Sequence, residues 1–378
     1  MESRKNSNPT KLVAFFLVVA VLIAAIAFSA SGWQGEQLGK PDSGNSVTDK
    51  NEPVNGDADE NTDGSGGEGE KNETPAEPAY THYITGLEIS KDESFLKPLC
   101  IVFDTEAPMY GISSSFLTVE LPIEGGKTRL LAFSNDATSQ GKLGSIAPTR
   151  KYISNVARYF GAILVSSGND DSFAYSGFDT IDTGIDFTAE SGYHYTEYGK
   201  YAYTNADLLT AYIKTNGIST VKGTEINMPY LFTSDTNGTG DENEAQISAD
   251  TVLITFDKGS TTELVFSDSD GKYRMKKNSS TVTDRINERE ILYDNAFILY
   301  ADSLTHETSE ATQLIMDTAG GGTGFYMAGG EAVRISWYAD DSGALHFTTE
   351  DGKPLCITPG ISYIAFAKVS QINNTKLN

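Results

Sequence analysis

Cysteine, tryptophan and histidine are all scarce in this chain of 378 residues, which holds two, two and four of them. Two cysteines exclude a disulfide-dense scaffold. Cys100 and Cys356 sit in apolar, strand-like runs (PLCIVF and PLCITP). They read as two buried free thiols, with a disulfide tying two domains together as the alternative. The histidines (His82, His194, His306, His346) show no zinc spacing, and H-E-x-x-H and C-x-x-C are both absent. So is the G-x-S-x-G elbow of the hydrolases. The glycine run TAGGGTG (318–324) lacks the Gly-Lys-Ser/Thr ending of a phosphate-binding loop, so its glycines are expected in tight turns. No cofactor and no metal are expected. Basic residues are also few: 28 Lys and Arg face 52 Asp and Glu, for a net charge of −24. That excludes nucleic acid and an anionic membrane surface as partners, since both need clustered cations.

Against this background one apolar run stands out. Residues 12–28 (LVAFFLVVAVLIAAIAF) contain no charge, and Arg4, Lys5 and Lys11 precede them. At ~1.5 Å rise the run covers about 25 Å, and small residues to Ala30 extend it towards the ~30 Å hydrocarbon core. The flanking cations keep the N-terminal side in the cytoplasm and place the rest outside. An uncleaved signal-anchor is the favoured reading. Cleavage of a signal peptide at Ala25-Ile26-Ala27 or Ser29-Ala30-Ser31 is the other. No cysteine adjoins the run to carry a lipid. From Ser31 to Tyr80 twelve acidic residues meet three basic ones among Gly, Asn, Ser and Thr. Such a segment buries too little to fold and predicts a disordered, extended spacer over 31–82.

The remainder suits two domains. In 83–235 strands and helices alternate: LCIVFD (99–104), FLTVELPI (116–123), TRLLAFS (128–134) and AILVSS (162–167) read as strands. The spacing of Ile153, Val156, Ala157 and Phe160 predicts an amphipathic helix over 150–161, closed by Gly161. A second helix is expected over 204–217, with Thr204 and Asp207 as its capping pair. Residues 234–248 form a polar boundary. From 246 to 378 nearly every segment reads as a short strand, punctuated by Asp270-Gly271, Ser342-Gly343 and Asp351-Gly352. The expected fold class is therefore α+β: after residues 1–30 (cytoplasmic stub and single N-terminal transmembrane helix) and the linker come an α/β-type N-terminal domain and a β-rich C-terminal domain.

Asp59–Glu70 fits the calcium-loop pattern D-x-N-x-D-G-x5-E, but its flanks are not helix-forming, so it reads as a chance match in an acidic stretch. More informative is 120–152, where Glu120, Glu124, Lys127, Arg129 and Arg150 gather around glycines. Two readings stand: a salt-bridge network shaping a turn, or a ligand pocket in which Arg129 and Arg150 hold an anionic group and a glutamate orients a hydroxyl. Glu120 and Glu124 on one strand would lie about 13 Å apart, too wide for a retaining glycosidase pair. A tyrosine-rich stretch (Phe173, Tyr175, Phe178, Tyr193, Tyr195, Tyr198, Tyr201, Tyr203) suits sugar stacking or packing against the second domain.

The strings ELPIEGGKTR (120–129) and GSIAPTRKY (144–152) resemble the N-terminal domain of the YerB-like lipoprotein family, whose pattern runs E-x-P-V-E-G-G-I-T-R and then G-P-V-R-S-A-R-x-Y. GGGTGFYMAGGEAVRISW (320–337) and DGKPLCITPGISYIAF (351–366) resemble its second domain. The resemblance implies an extracytoplasmic address in a Gram-positive-type envelope and no established reaction. It adds Thr128 and Tyr152 to Glu120, Glu124, Arg129 and Arg150 as the ligand-site set. Ser145 and Ala147 depart from the family's Pro and Arg, Gly199-Lys200-Tyr201 replaces its Pro-His-Asn, and the family's lipid-bearing cysteine is missing. The reading that results is a membrane-anchored extracytoplasmic protein binding a cell-wall polymer or envelope protein. Its alternative is a wall-glycan hydrolase or transferase using Glu120 or Glu124 with Arg129 and Arg150.

Overall fold

The computed structural model describes residues 80–168, 184–186, 192–222, 230–233, 246–307, 312–340 and 343–378. The apolar run 12–28, the acidic stretch to residue 79, the calcium-loop match and residues 234–245 lie outside the described residues. No helix among the described residues is long and apolar enough to cross a membrane.

The expected strands form. Leu99–Asp104 is buried at every position, as a strand covered on both faces must be. Thr251–Asp257 alternates buried and partly exposed residues, so only one face is covered. Leu117–Ile123 and Lys127–Ser134 make an antiparallel hairpin. Gly125 (φ +74°) and Gly126 (φ +70°) both take the left-handed conformation its tight turn requires. That turn fixes the register: Leu121 pairs with Arg129 and Glu120 with Leu130.

These strands belong to one 14-stranded sheet. Its centre runs Gly321–Ala328, Asn295–Ala301, Ser362–Lys368, Leu117–Ile123, Lys127–Ser134, Leu99–Asp104. The join is the parallel pair of Ser362–Lys368 with Leu117–Ile123, in which Ala365 faces Glu120. Strands from both halves of the chain thus share one ladder. This corrects the expected α+β architecture with an α/β-type N-terminal domain: the protein is mostly β. The first half alternates strands with helices in sequence, but Leu117–Ile123 and Lys127–Ser134 pair antiparallel through a short turn, and Lys127–Ser134 pairs antiparallel with Leu99–Asp104. Its helices are short. Among the described residues the α-helices are Lys91–Ser94, Lys151–Tyr159 and Ala206–Thr215. The last is capped by Asn205, whose side chain accepts from the Leu208 N–H, and not by Thr204.

The sheet separates two apolar cores. On one face Val119, Leu121, Leu131 and Phe133 pack in a core with Ile153 and Val156 of the Lys151–Tyr159 helix and with Trp337 and Phe366. On the other face Leu130, Ala132, Ile298 and Tyr363 meet Val252, Ile254, Phe256, Leu264 and Met275. Those last residues come from a six-stranded second sheet built on Thr251–Asp257, Ser260–Ser267 and Lys272–Lys277. Of the four glycines of TAGGGTG only Gly320 lies in a bend. Gly321, Gly322 and Gly324 lie within the strand Gly321–Ala328. A Cβ on Gly322 or Gly324 would stand 2.1 Å from the carbonyl oxygen of Tyr300 or Ile298. Their role is close backbone approach.

Candidate functional site

The hairpin register decides what happens to the predicted ligand set. Side chains alternate across a strand, so Glu120, opposite Leu130, shares the face of the second sheet. Arg129, opposite Leu121, points to the face that carries the Lys151–Tyr159 helix. The six candidates therefore do not converge on one site.

On the second-sheet side Glu120 is fully buried. Its Oε1 accepts from Thr128 Oγ1 at 2.6 Å and Lys277 Nζ at 2.5 Å. Its Oε2 accepts from Thr262 Oγ1 and the Tyr363 hydroxyl, both at 2.7 Å. Four donors satisfy the carboxylate, which is what a buried charge requires. Burial, and then the Glu120 charge, push the Tyr363 phenol well above its ordinary value.

On the helix side Arg150, the N-cap residue of Lys151–Tyr159, pairs with Glu124 and donates to the Thr149 carbonyl at 2.9 Å. Arg129 faces Asp104 at 3.4 Å and the Thr128 carbonyl at 3.4 Å. Burial lowers its guanidinium pKa from the usual value, Asp104 opposes the shift, and Arg150 adds to it. The Tyr152 hydroxyl donates to the Pro122 carbonyl at 2.9 Å and ties the helix to the hairpin.

Two further features involve residues outside this set, and the first borders it through Lys277 and Thr105. One is a cleft of about 450 Å³ between residues 105–109 and 277–285, lined among others by Thr105, Lys277, Asn278, Ser280, Thr281 and Arg285. The other gathers tyrosines. Tyr198 and Tyr203 come together with Tyr110 around the ammonium of Lys142, which Glu197 pairs at 2.6 Å, and Tyr195 stacks on Tyr203. Tyr193 instead packs edge-on against Tyr212. Phe173, Tyr175 and Phe178 lie outside the described residues. Sequence reading missed Lys277, Tyr110 and Lys142. The turn 277–280 carried a signal for the first: Asn278 and Ser279 take left-handed φ, and Asn-Ser between two polar alternating runs marks a hairpin. Cys100 is buried and Cys356 partly exposed, and both are free thiols. No group of three or more His, Cys, Asp or Glu suited to a metal occurs among the described residues.

Comparison with known proteins now adds the family. Residues 84–220 match the N-terminal domain, and residues 252–364 the C-terminal domain, of a family described as protein of unknown function (DUF3048). The chain belongs to the DUF3048 family. No curated protein matches it. Among solved structures it is similar to the crystal structure of YerB protein from Bacillus subtilis, with a TM-score of 0.66 at 20% identity over 79% of this chain and 99% of that one. At that identity the likeness is one of fold. In the DUF3048 chain described here, the two matched regions meet at the Ser362–Lys368 and Leu117–Ile123 ladder and at the Glu120 network beside it.

Proposed function

We propose that the protein is a non-enzymatic binding module of the cell envelope, held at the membrane by the apolar run 12–28 with its folded part outside. Its contact with a wall polymer is the cleft between residues 105–109 and 277–285. One observation carries this reading: the chain has a net charge of −24, yet the cleft lining holds Lys277 and Arg285 and no carboxylate. Lys277 is committed to Glu120, which leaves Arg285, half-exposed beside Glu288, as the outward cation. Hydroxyls of Thr105, Ser280 and Thr281 and the Asn278 amide supply further donors and acceptors. This lining suits a hydroxylated polymer that carries anionic groups, such as a polyol phosphodiester or a uronate chain.

The acid/base alternative finds less support. A general acid or base must reach a substrate proton, and Glu120 is enclosed by four internal donors while Glu124 is paired with Arg150. The test is titration of the full-length protein in detergent with purified anionic wall polymers. R285E is expected to weaken binding at least fivefold without changing the thermal midpoint. Equal binding by wild type and R285E would remove the cleft from consideration.

A further inference from the structure

Lys142 lies between the 3-10 helix Ala137–Ser139 and the strand Leu143–Ile146, and its side chain is the centre of an aromatic enclosure. The ammonium stands 4.0 Å from the ring centre of Tyr110, 4.6 Å from that of Tyr203 and 5.8 Å from that of Tyr198. The Glu197 carboxylate closes the remaining side at 2.6 Å. Ring faces plus one carboxylate are the chemistry that recognises ammonium ions.

The aromatic walls have contacts of their own besides those to Lys142. Tyr203 is buried at its base, and its hydroxyl donates to the Pro108 carbonyl at 3.1 Å. The Tyr110 and Tyr198 hydroxyls meet at 3.1 Å. Tyr198 takes φ +49°, a conformation that costs a non-glycine residue energy, and it keeps 56% of its surface exposed. That conformation belongs to the tight turn that joins Tyr195–Glu197 to Tyr201–Thr204, and the turn sets the Tyr198 ring beside Tyr203. Lys142 is the member with the longest side chain. It follows the exposed Gly141, and its four-carbon stem can leave the rings without moving the backbone.

We propose that Tyr110, Tyr198, Tyr203 and Glu197 form a receptor site for a primary alkylammonium group, and that Lys142 is its built-in occupant. The 2.6 Å bond to Glu197 needs an N–H donor, which selects a primary amine over a quaternary one. An external amine must displace Lys142, so its apparent affinity is reduced by the fraction of time the site stands open. This site adjoins the cleft through Pro108 but shares none of its four residues with the cleft lining, so R285E tests the cleft and K142Q tests this site.

The probes are n-butylammonium and tetramethylammonium, titrated by calorimetry into the full-length protein in detergent. K142Q is expected to bind n-butylammonium at least tenfold more tightly than wild type, and at least tenfold more tightly than it binds tetramethylammonium. K142Q/Y198A is expected to lose the gain. No gain in K142Q, equal binding of the two cations, or a gain that survives Y198A would overturn the proposal. Wild type offers a check that requires no variant. The Lys142 ε-methylene proton signal, shifted upfield by the ring faces, is expected to move downfield as n-butylammonium is added. A signal that stays in place at saturating amine also overturns it.

Discussion

Lys277 holds its ammonium 2.5 Å from the Glu120 carboxylate, bridging residues 157 apart in sequence and both regions of the family. Removing one partner of a buried pair leaves the other charge uncompensated, at a cost of about 3–5 kcal/mol. E120Q is expected to fall at the lower end, about 3 kcal/mol in urea denaturation, because the substituted amide keeps an acceptor oxygen for Thr128. E120Q/K277M is expected to regain part of that loss. A single mutant within about 1 kcal/mol of wild type would show that the pair contributes little to the join.

His82 carries the clearest pH dependence. It is buried against Tyr83 and Phe116, and its Nδ1 accepts from the Ile84 and Thr85 N–H groups at 3.3 Å. Burial, and then the nearby Lys222 charge, lower its pKa from 6.5 to about 4. The unfolded chain thus takes up this proton first as the pH falls. The contribution is complete above about pH 6.5 and is lost between 6.5 and 4. One pKa unit is worth ~1.4 kcal/mol, so the loss approaches roughly 3 kcal/mol. In H82N the amide oxygen can replace Nδ1 as acceptor without titrating. Denaturation at pH 7.5 and 4.5 should show a smaller drop for H82N than for wild type, and parallel drops would refute the assignment.

Two glycines separate crowding from backbone strain. A Cβ at Gly322 would meet the Tyr300 carbonyl oxygen at 2.1 Å, whereas at Gly125 nothing lies within 4 Å and only φ +74° stands against it. G322A is expected to cost about 3 kcal/mol or to prevent folding. G125A is expected to cost about 1 kcal/mol. Thermal melts of the two variants measure the contrast, and the reverse order would contradict the strand geometry.

Much of the local structure could be read from the sequence, because each strand announces itself by its own residues. LCIVFD is apolar throughout apart from its last residue and is buried throughout. Val252, Ile254 and Phe256 alternate with Thr251, Leu253, Thr255 and Asp257, of which only Leu253 is apolar, and only the first three are buried. Even the splitting of Glu120 from Arg129 was latent in the Gly125-Gly126 turn, since the short loop Glu124–Gly126 sets which residues face each other. What the sequence withheld was partnership at long range. Tyr363 and Glu120 are 243 residues apart, and no pattern in either strand names the other. For the same reason the alternation of strands and helices in 83–235 pointed to an α/β layer, whereas the neighbour of Leu117–Ile123 comes from the far half. The tyrosines of 193–203 were visible as a group. That Tyr198 and Tyr203 face Lys142 depends on the pairing of Tyr201–Thr204 with Leu143–Ile146, which neither segment specifies alone.

The parallel ladder between Leu117–Ile123 and Ser362–Lys368 also has a temporal side. A ribosome delivers the chain from its N-terminal side, so residues 117–134 emerge long before residues 362–368. Until then one edge of Leu117–Ile123 has unpaired amides and carbonyls, and it offers Val119 and Leu121 to any strand that drifts past. A nascent chain stalled near residue 350 would hold that edge open indefinitely. The native sheet therefore closes late, and premature termination shortly before residue 362 should yield material prone to aggregation instead of a smaller working protein.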